Sequence, residues 1–116
     1  RIKRDPSDVD AYVALGEREE RAGFYLAARR RLLAARALGA PDQRVSPALG
    51  RTLSHLAREE EARVELEKAA RLFPDALEPV LNLAGFHVAA RRSGEARDLL
   101  RAWIGAAIGL ERLAAA

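Results

Sequence analysis

The 116 residues carry seventeen acidic and twenty basic side chains, 49% apolar residues and no cysteine. That mixture excludes an intrinsically disordered chain, disulfides, thiolate catalysis and any metal site built on sulfur; no apolar run reaches the roughly 20 residues that a membrane span needs. The opening at Arg1 rather than methionine, without a signal-peptide pattern, points to a processed or excised fragment.

In chain order, Ser7 and Asp8 stand as candidate N-caps, with Asp10 as the capping-box acid. Tyr12, Leu15, Gly16 and Glu19 then share one helix face, and Gly23 ends that helix. A second helix carries Tyr25, Ala28, Leu32 and Ala35 on one face and stops near Gly39 and Pro41. A loose linker over Gly39 to Val45 is expected next, because Ser46-Pro47 reads as a cap followed by a first-turn proline; the third helix then runs from about Ser46 to Ala57. The fourth spans about Glu60 to Leu72, with Glu59, Glu60 and Glu61 at the positive end of its dipole and Pro74 as terminator. The fifth begins near Pro79 and breaks at Ser93-Gly94, and the sixth contains Ala96, Leu99, Leu100 and Trp103. Gly109 to Leu113, before three alanines, reads as a short last helix or partly as an expression remnant. With no apolar-polar alternation and few β-branched residues, the expected fold class is all-α.

The helices are not independent. A shift of 34 residues aligns Leu15, Leu49 and Leu83, each followed by a small residue: Gly16, Gly50, Ala84. The same shift aligns Ala28, Ala62 and Ala96; Arg29, Arg63 and Arg97; and Leu32, Leu66 and Leu100. Three copies of one two-helix unit follow, with small residues where two helix backbones approach and leucines filling the remaining space. The expected divisions are repeats over 9–42, 43–76 and 77–110, with the tail of a preceding repeat over 1–8 and a C-terminal tail over 111–116.

This pattern of leucine with a small residue, then alanine, then a large residue resembles the tetratricopeptide repeat family, over residues 9 to about 108. The resemblance implies a right-handed α-solenoid of antiparallel hairpins, in which the first helix of each hairpin lines a concave groove for an extended peptide or a partner helix. Helical spacing then places Asp10, Val13, Glu17 and Glu20 in the groove from the first repeat, and Arg44, Pro47, Arg51 and Ser54, with His55 adjacent, from the second. The third repeat supplies Glu78, Leu81, Gly85 and Val88, with Asn82 beside them in a slot where family members commonly hold peptide backbone. The stripe is acidic, then basic, then largely apolar. Its bland reading is that Glu17 and Glu20 merely pair with Arg51 or His55 as solvated ions. Three departures stand out: Glu19 and His87 where a large apolar residue is usual, and Trp103 in place of a small one. The slots by which related repeats clamp chaperone C-terminal carboxylates hold Val13, Glu17, Ala48, Glu78 and Asn82, which disfavours that subfamily.

No catalytic set is legible. His55 and His87 lie on different repeats, Ser7 and Ser46 read as caps, and no glycine loop cradles a phosphate. No cofactor and no metal are expected. The basic run Arg29-Arg30-Arg31 lacks the extended patch and stacking aromatics of a nucleic-acid binder. The leading reading is a non-catalytic protein-interaction module whose partner is a protein or peptide, with neither nucleic-acid binding nor membrane insertion. Two alternatives stay open: the repeat region of a larger glycosyltransferase- or sulfotransferase-like enzyme, and a scaffold that forms homo-oligomers through exposed ends, where Trp103, Ile104, Ile108 and Leu110 cluster. A cysteine-free chain suits either redox compartment.

Overall fold

The structure, a computed structural model, describes residues 6–115, with side-chain surroundings for residues 8–108. The expected tail of a preceding repeat (save Pro6 to Asp8) and the side chains of Ser7 and Leu110 lie outside the described residues. Within them the chain is all-α: α1 (Pro6–Arg21), α2 (Tyr25–Ala37), α3 (Asp42–His55), α4 (Glu59–Leu72), α5 (Leu77–Ala89) and α6 (Ser93–Ala115). The described helices form two compact units that divide between Ala69 and Ala70, inside α4.

The first unit is built on close approach between helices. A Cβ added at Gly16 would lie 2.8 Å from Leu32 Cγ, and one at Gly50 would lie 2.7 Å from Leu66 Cδ2 and 3.2 Å from its backbone nitrogen. Only glycine lets those leucines in. Ala28, Leu32, Ala62 and Leu66 are accordingly buried, as the 34-residue spacing requires. In the second unit, Val80, Leu83, Ala84 and Phe86 of α5 and Ala96 of α6 form the core.

The turn inside each hairpin repeats more faithfully than its sequence does. Gly23, Ala57 and Arg91 are 34 residues apart, and all have left-handed φ, of 87°, 59° and 63°. The amide after each donates to a carbonyl five residues back: Phe24 to Glu19 at 2.8 Å, Arg58 to Leu53 at 3.0 Å, Arg92 to His87 at 2.7 Å. These bonds satisfy carbonyls that the helix end would leave bare. Glycine marks the turn only in the first repeat; alanine and arginine adopt the strained backbone in the other two.

Three expectations need correction. The segment Gly39 to Val45 is not a loose linker: Pro41 caps α3, which starts at Asp42 and carries Pro47 inside it. Pro47 has no N–H to give the Gln43 carbonyl, and the turn before it is held from outside by side chains of α2 and α4, described below. Ser46 is thus a buried helix residue rather than a cap. Ser7 and Asp8 lie in the first turn of α1 rather than before it, because that helix starts at Pro6. Finally, residues 93–115 are one helix, so Gly109 to Leu113 form no separate element.

Gly50→Ala is expected to cost about 1–3 kcal/mol in chemical denaturation through the clash with Leu66. Gly85→Ala, with nothing within 4 Å of the new methyl, is expected to gain about 0.5–1 kcal/mol from lower backbone entropy in the unfolded chain. Ala57→Gly, which relieves the left-handed strain, is expected to be stabilising by a similar margin, about 0.5–1 kcal/mol.

Candidate functional site

In the first unit the expected groove residues of α1 and α3 face one another, and their charges are mutually engaged. Arg44 Nη1 donates to Asp10 Oδ1 at 2.7 Å across 34 residues of sequence. Arg51 donates from Nε and Nη2 to the two carboxylate oxygens of Glu20, at 3.3 and 3.1 Å. The first pair is exposed and worth about 0–1 kcal/mol; the second is more enclosed, with the Glu20 side chain only 10% exposed. His55 stacks on Tyr25 with ring centroids 4.3 Å apart and planes 7° from parallel. Its Nδ1 lies 3.0 Å from the Arg51 carbonyl. Glu17 is half-buried on α1. Val13 is the exception: it is fully buried, so it packs the core and cannot line a groove. Of the pairings expected as solvated ions, Glu20 with Arg51 forms between α1 and α3, enclosed rather than solvated.

A second polar arrangement escaped the sequence. Arg36 of α2 donates to both carboxylate oxygens of Glu65 of α4, at 2.9 and 2.7 Å, and Ser46 Oγ of α3 donates to Glu65 Oε1 at 2.9 Å. Asp42, in the first turn of α3, sits 3.2 Å from Arg36 and 3.6 Å from Lys68. Three helices are tied by one bidentate guanidinium, and this network secures the turn that precedes Pro47. The available signal was Glu65 itself, which shares the buried face of α4 with Ala62, Leu66 and Ala69: an acid on an apolar face demands a partner.

The second unit carries a different surface. Leu77, Leu81, Gly85 and Val88 lie at i, i+4, i+8 and i+11 of α5 and are all exposed, Leu81 by 48% and Val88 by 55%. Asn82 is half-buried beside them. His87, in its packing slot, is buried with Nδ1 3.6 Å from Glu95 Oε2. Trp103 donates its indole N–H to the Pro74 carbonyl at 3.0 Å, fastening α6 to the loop before α5.

Other candidates resolve into structure. Within the basic run, Arg29 lies 3.7 Å from Glu61 and Arg31 3.4 Å from Glu19, which interrupts any continuous cationic patch. Among the described residues no group of three His, Asp or Glu side chains gathers as a metal site, and no helix is long and apolar enough to cross a membrane. Set against known protein families, curated proteins and solved structures, the chain matches none of them.

Burial alone would push the Glu65 carboxyl up. The hydrogen bonds from Arg36 and Ser46, with the charges of Arg36 and Lys68, outweigh it and hold the group below its ordinary value of 4.5. A carboxyl lowered on folding stabilises the protein fully above its unfolded value and loses that contribution as pH falls through the folded one. Unfolding free energy is therefore expected to decline below about pH 4.5, and Glu65→Gln is expected to flatten that decline. At neutral pH the same substitution should cost about 2–3 kcal/mol, toward the low end for a broken buried pair because Arg36 keeps access to water.

Proposed function

We propose that the chain is a non-catalytic interaction module of the tetratricopeptide-like kind, binding an extended peptide or partner helix along the first helix of a hairpin. The observation that carries this reading is the exposed apolar stripe of α5, Leu77, Leu81, Gly85 and Val88. A contiguous apolar face at helical spacing marks an interaction site when its neighbours are buried in a core. Gly85 leaves open space at its centre, so a partner backbone can approach closely there, and the Asn82 amide offers both a donor and an acceptor to that backbone. The 34-residue spacing of small residues and the repeated hairpin turn support the family reading.

The partner's chemistry follows from what remains available. Asp10 with Arg44 and Glu20 with Arg51 are already paired, so apolar side chains spaced to reach Leu81 and Val88 are the main determinants, and a carboxylate or phosphate contact with Arg51 would have to displace Glu20. A helix-in-groove or extended mode both fit such anchors. Peptides selected from a displayed random library on the 116-residue chain should lose at least about tenfold in affinity on Leu81→Glu or Val88→Glu, an energy of about 1.4 kcal/mol, in isothermal titration. They should lose less on Asn82→Ala. Unchanged affinity in both glutamate variants would remove α5 as the binding surface.

A further inference from the structure

Two exposed helix faces correspond, at multiples of the 34-residue spacing, to faces that meet inside the first unit. On α3, Val45, Ala48, Leu49 and Thr52 are buried, Leu49 being 1% exposed. Leu49 and Leu53 meet Leu33 and Arg36 of α2 around a shared cavity, so this face of α3 seats on α2. The residues 34 positions earlier on α1 are Ala11, Ala14, Leu15 and Arg18, and every one is exposed, Leu15 by 39%. The complementary face of α2 runs through Arg29, Leu33 and Arg36, and Ala40 continues it beyond the end of the helix. Its counterparts 68 positions later on α6 are Arg97, Arg101, Ile104 and Ile108, again all exposed, Ile104 by 51% and Ile108 by 44%.

We propose that the α6 face of one molecule receives the α1 face of a second, in the register by which α3 sits on α2. The occupant is named by continuity with a packing the chain already makes between hairpins, and by the fit of the two faces. Volume is exchanged between them: α6 offers isoleucine where α2 has Ala40, and α1 offers Ala11 where α3 has Val45. Charge is matched as well. Glu19 stands where Leu53 does, while Arg97 and Arg101 stand where Arg29 and Leu33 do, and Arg29, Leu33 and Leu53 line one cavity in the first unit. In this docking Glu19, which lies 3.4 Å from Arg31 of its own molecule, also comes opposite the guanidinium groups of the next. Ile104 and Ile108 cover the alanines of α1, and Leu15 gains the burial that Leu49 already has. Because unlike faces meet, the first contact leaves one face of each molecule free, and assemblies close into rings or lengthen with concentration. None of this depends on the peptide-binding reading, which uses α5.

Sedimentation equilibrium of the 116-residue chain tests it. Weight-average mass should rise with concentration above that of a monomer. Leu15→Glu alone, and Ile104→Glu with Ile108→Glu, should each give monomers with unchanged helical circular dichroism. Mixed in equal amounts, the two variants should form a dimer and go no further, since one keeps the α6 face and the other the α1 face. Ala14→Arg, at an exposed position, repeats the first block should Leu15→Glu fold poorly. A wild type that stays monomeric up to its solubility limit would overturn the proposal. So would blocked α1 variants that still self-associate, which indicates a symmetric α6 contact, or a mixture that remains monomeric.

Discussion

Everything in the first unit depends on two leucines reaching the backbone of a neighbouring helix. Leu32 and Leu66 stand where a Cβ at Gly16 or Gly50 would be, closer than side-chain atoms ever come. Helices packed this tightly gain dispersion contacts along their length, and they fix the rotation of each helix about its axis. That rotation decides which residues face inward. With Gly50 against Leu66, Leu49 and Leu53 turn toward α2, while Arg51 and Ser54 turn away. Replacing a single hydrogen by a methyl group at either glycine disturbs all of these placements together.

Charge is distributed according to the same rotation. Acids of α1 meet arginines of α3, and Arg36 of α2 reaches across α3 to Glu65 of α4. The formal net charge of +3 thus conceals a surface in which many guanidinium groups already have carboxylate partners. The pairs differ in worth. Asp10 with Arg44 is solvated and adds little. Glu65 is taken from water and held by Arg36 and Ser46 together, so losing one member leaves the others exposed to a penalty that water cannot fully relieve. Exposed apolar side chains remain on the stripe of α5 and, beside arginines, on the faces of α1 and α6.

The period of 34 residues made the hairpins legible, because small residues at 16, 50, 28 and 62 are dictated by interhelix distance and leave a mark at fixed intervals. The side chains expected to line a groove were legible only in part. Helical spacing placed Asp10, Glu20, Arg44, Arg51 and His55 on α1 and α3, but the same spacing placed Val13 there, and Val13 is buried; a rotation of a few tens of degrees separates the two outcomes and periodicity does not resolve it. Pro47 misled because proline is most at home in a first turn, whereas here ties from Arg36 and Glu65 keep a turn of helix in front of it. Positive φ at Ala57 and Arg91 left no trace in residue type, since the chain tolerates the strain where a fold-wide turn demands it. The exposure of Leu15, at a position where Leu49 is buried, follows from what lies against each helix and is invisible in the helix's own sequence.

The central claim is that close approach of Leu66 to Gly50 sets the packing of the first unit. A double-mutant cycle in urea denaturation measures it directly, using Gly50→Ala in the wild type and in Leu66→Ala. If the leucine occupies the space of the missing side chain, Gly50→Ala destabilises the wild type but becomes neutral or stabilising once Leu66 is truncated, because alanine then contributes only its better helix propensity. The same penalty in both backgrounds would contradict the account.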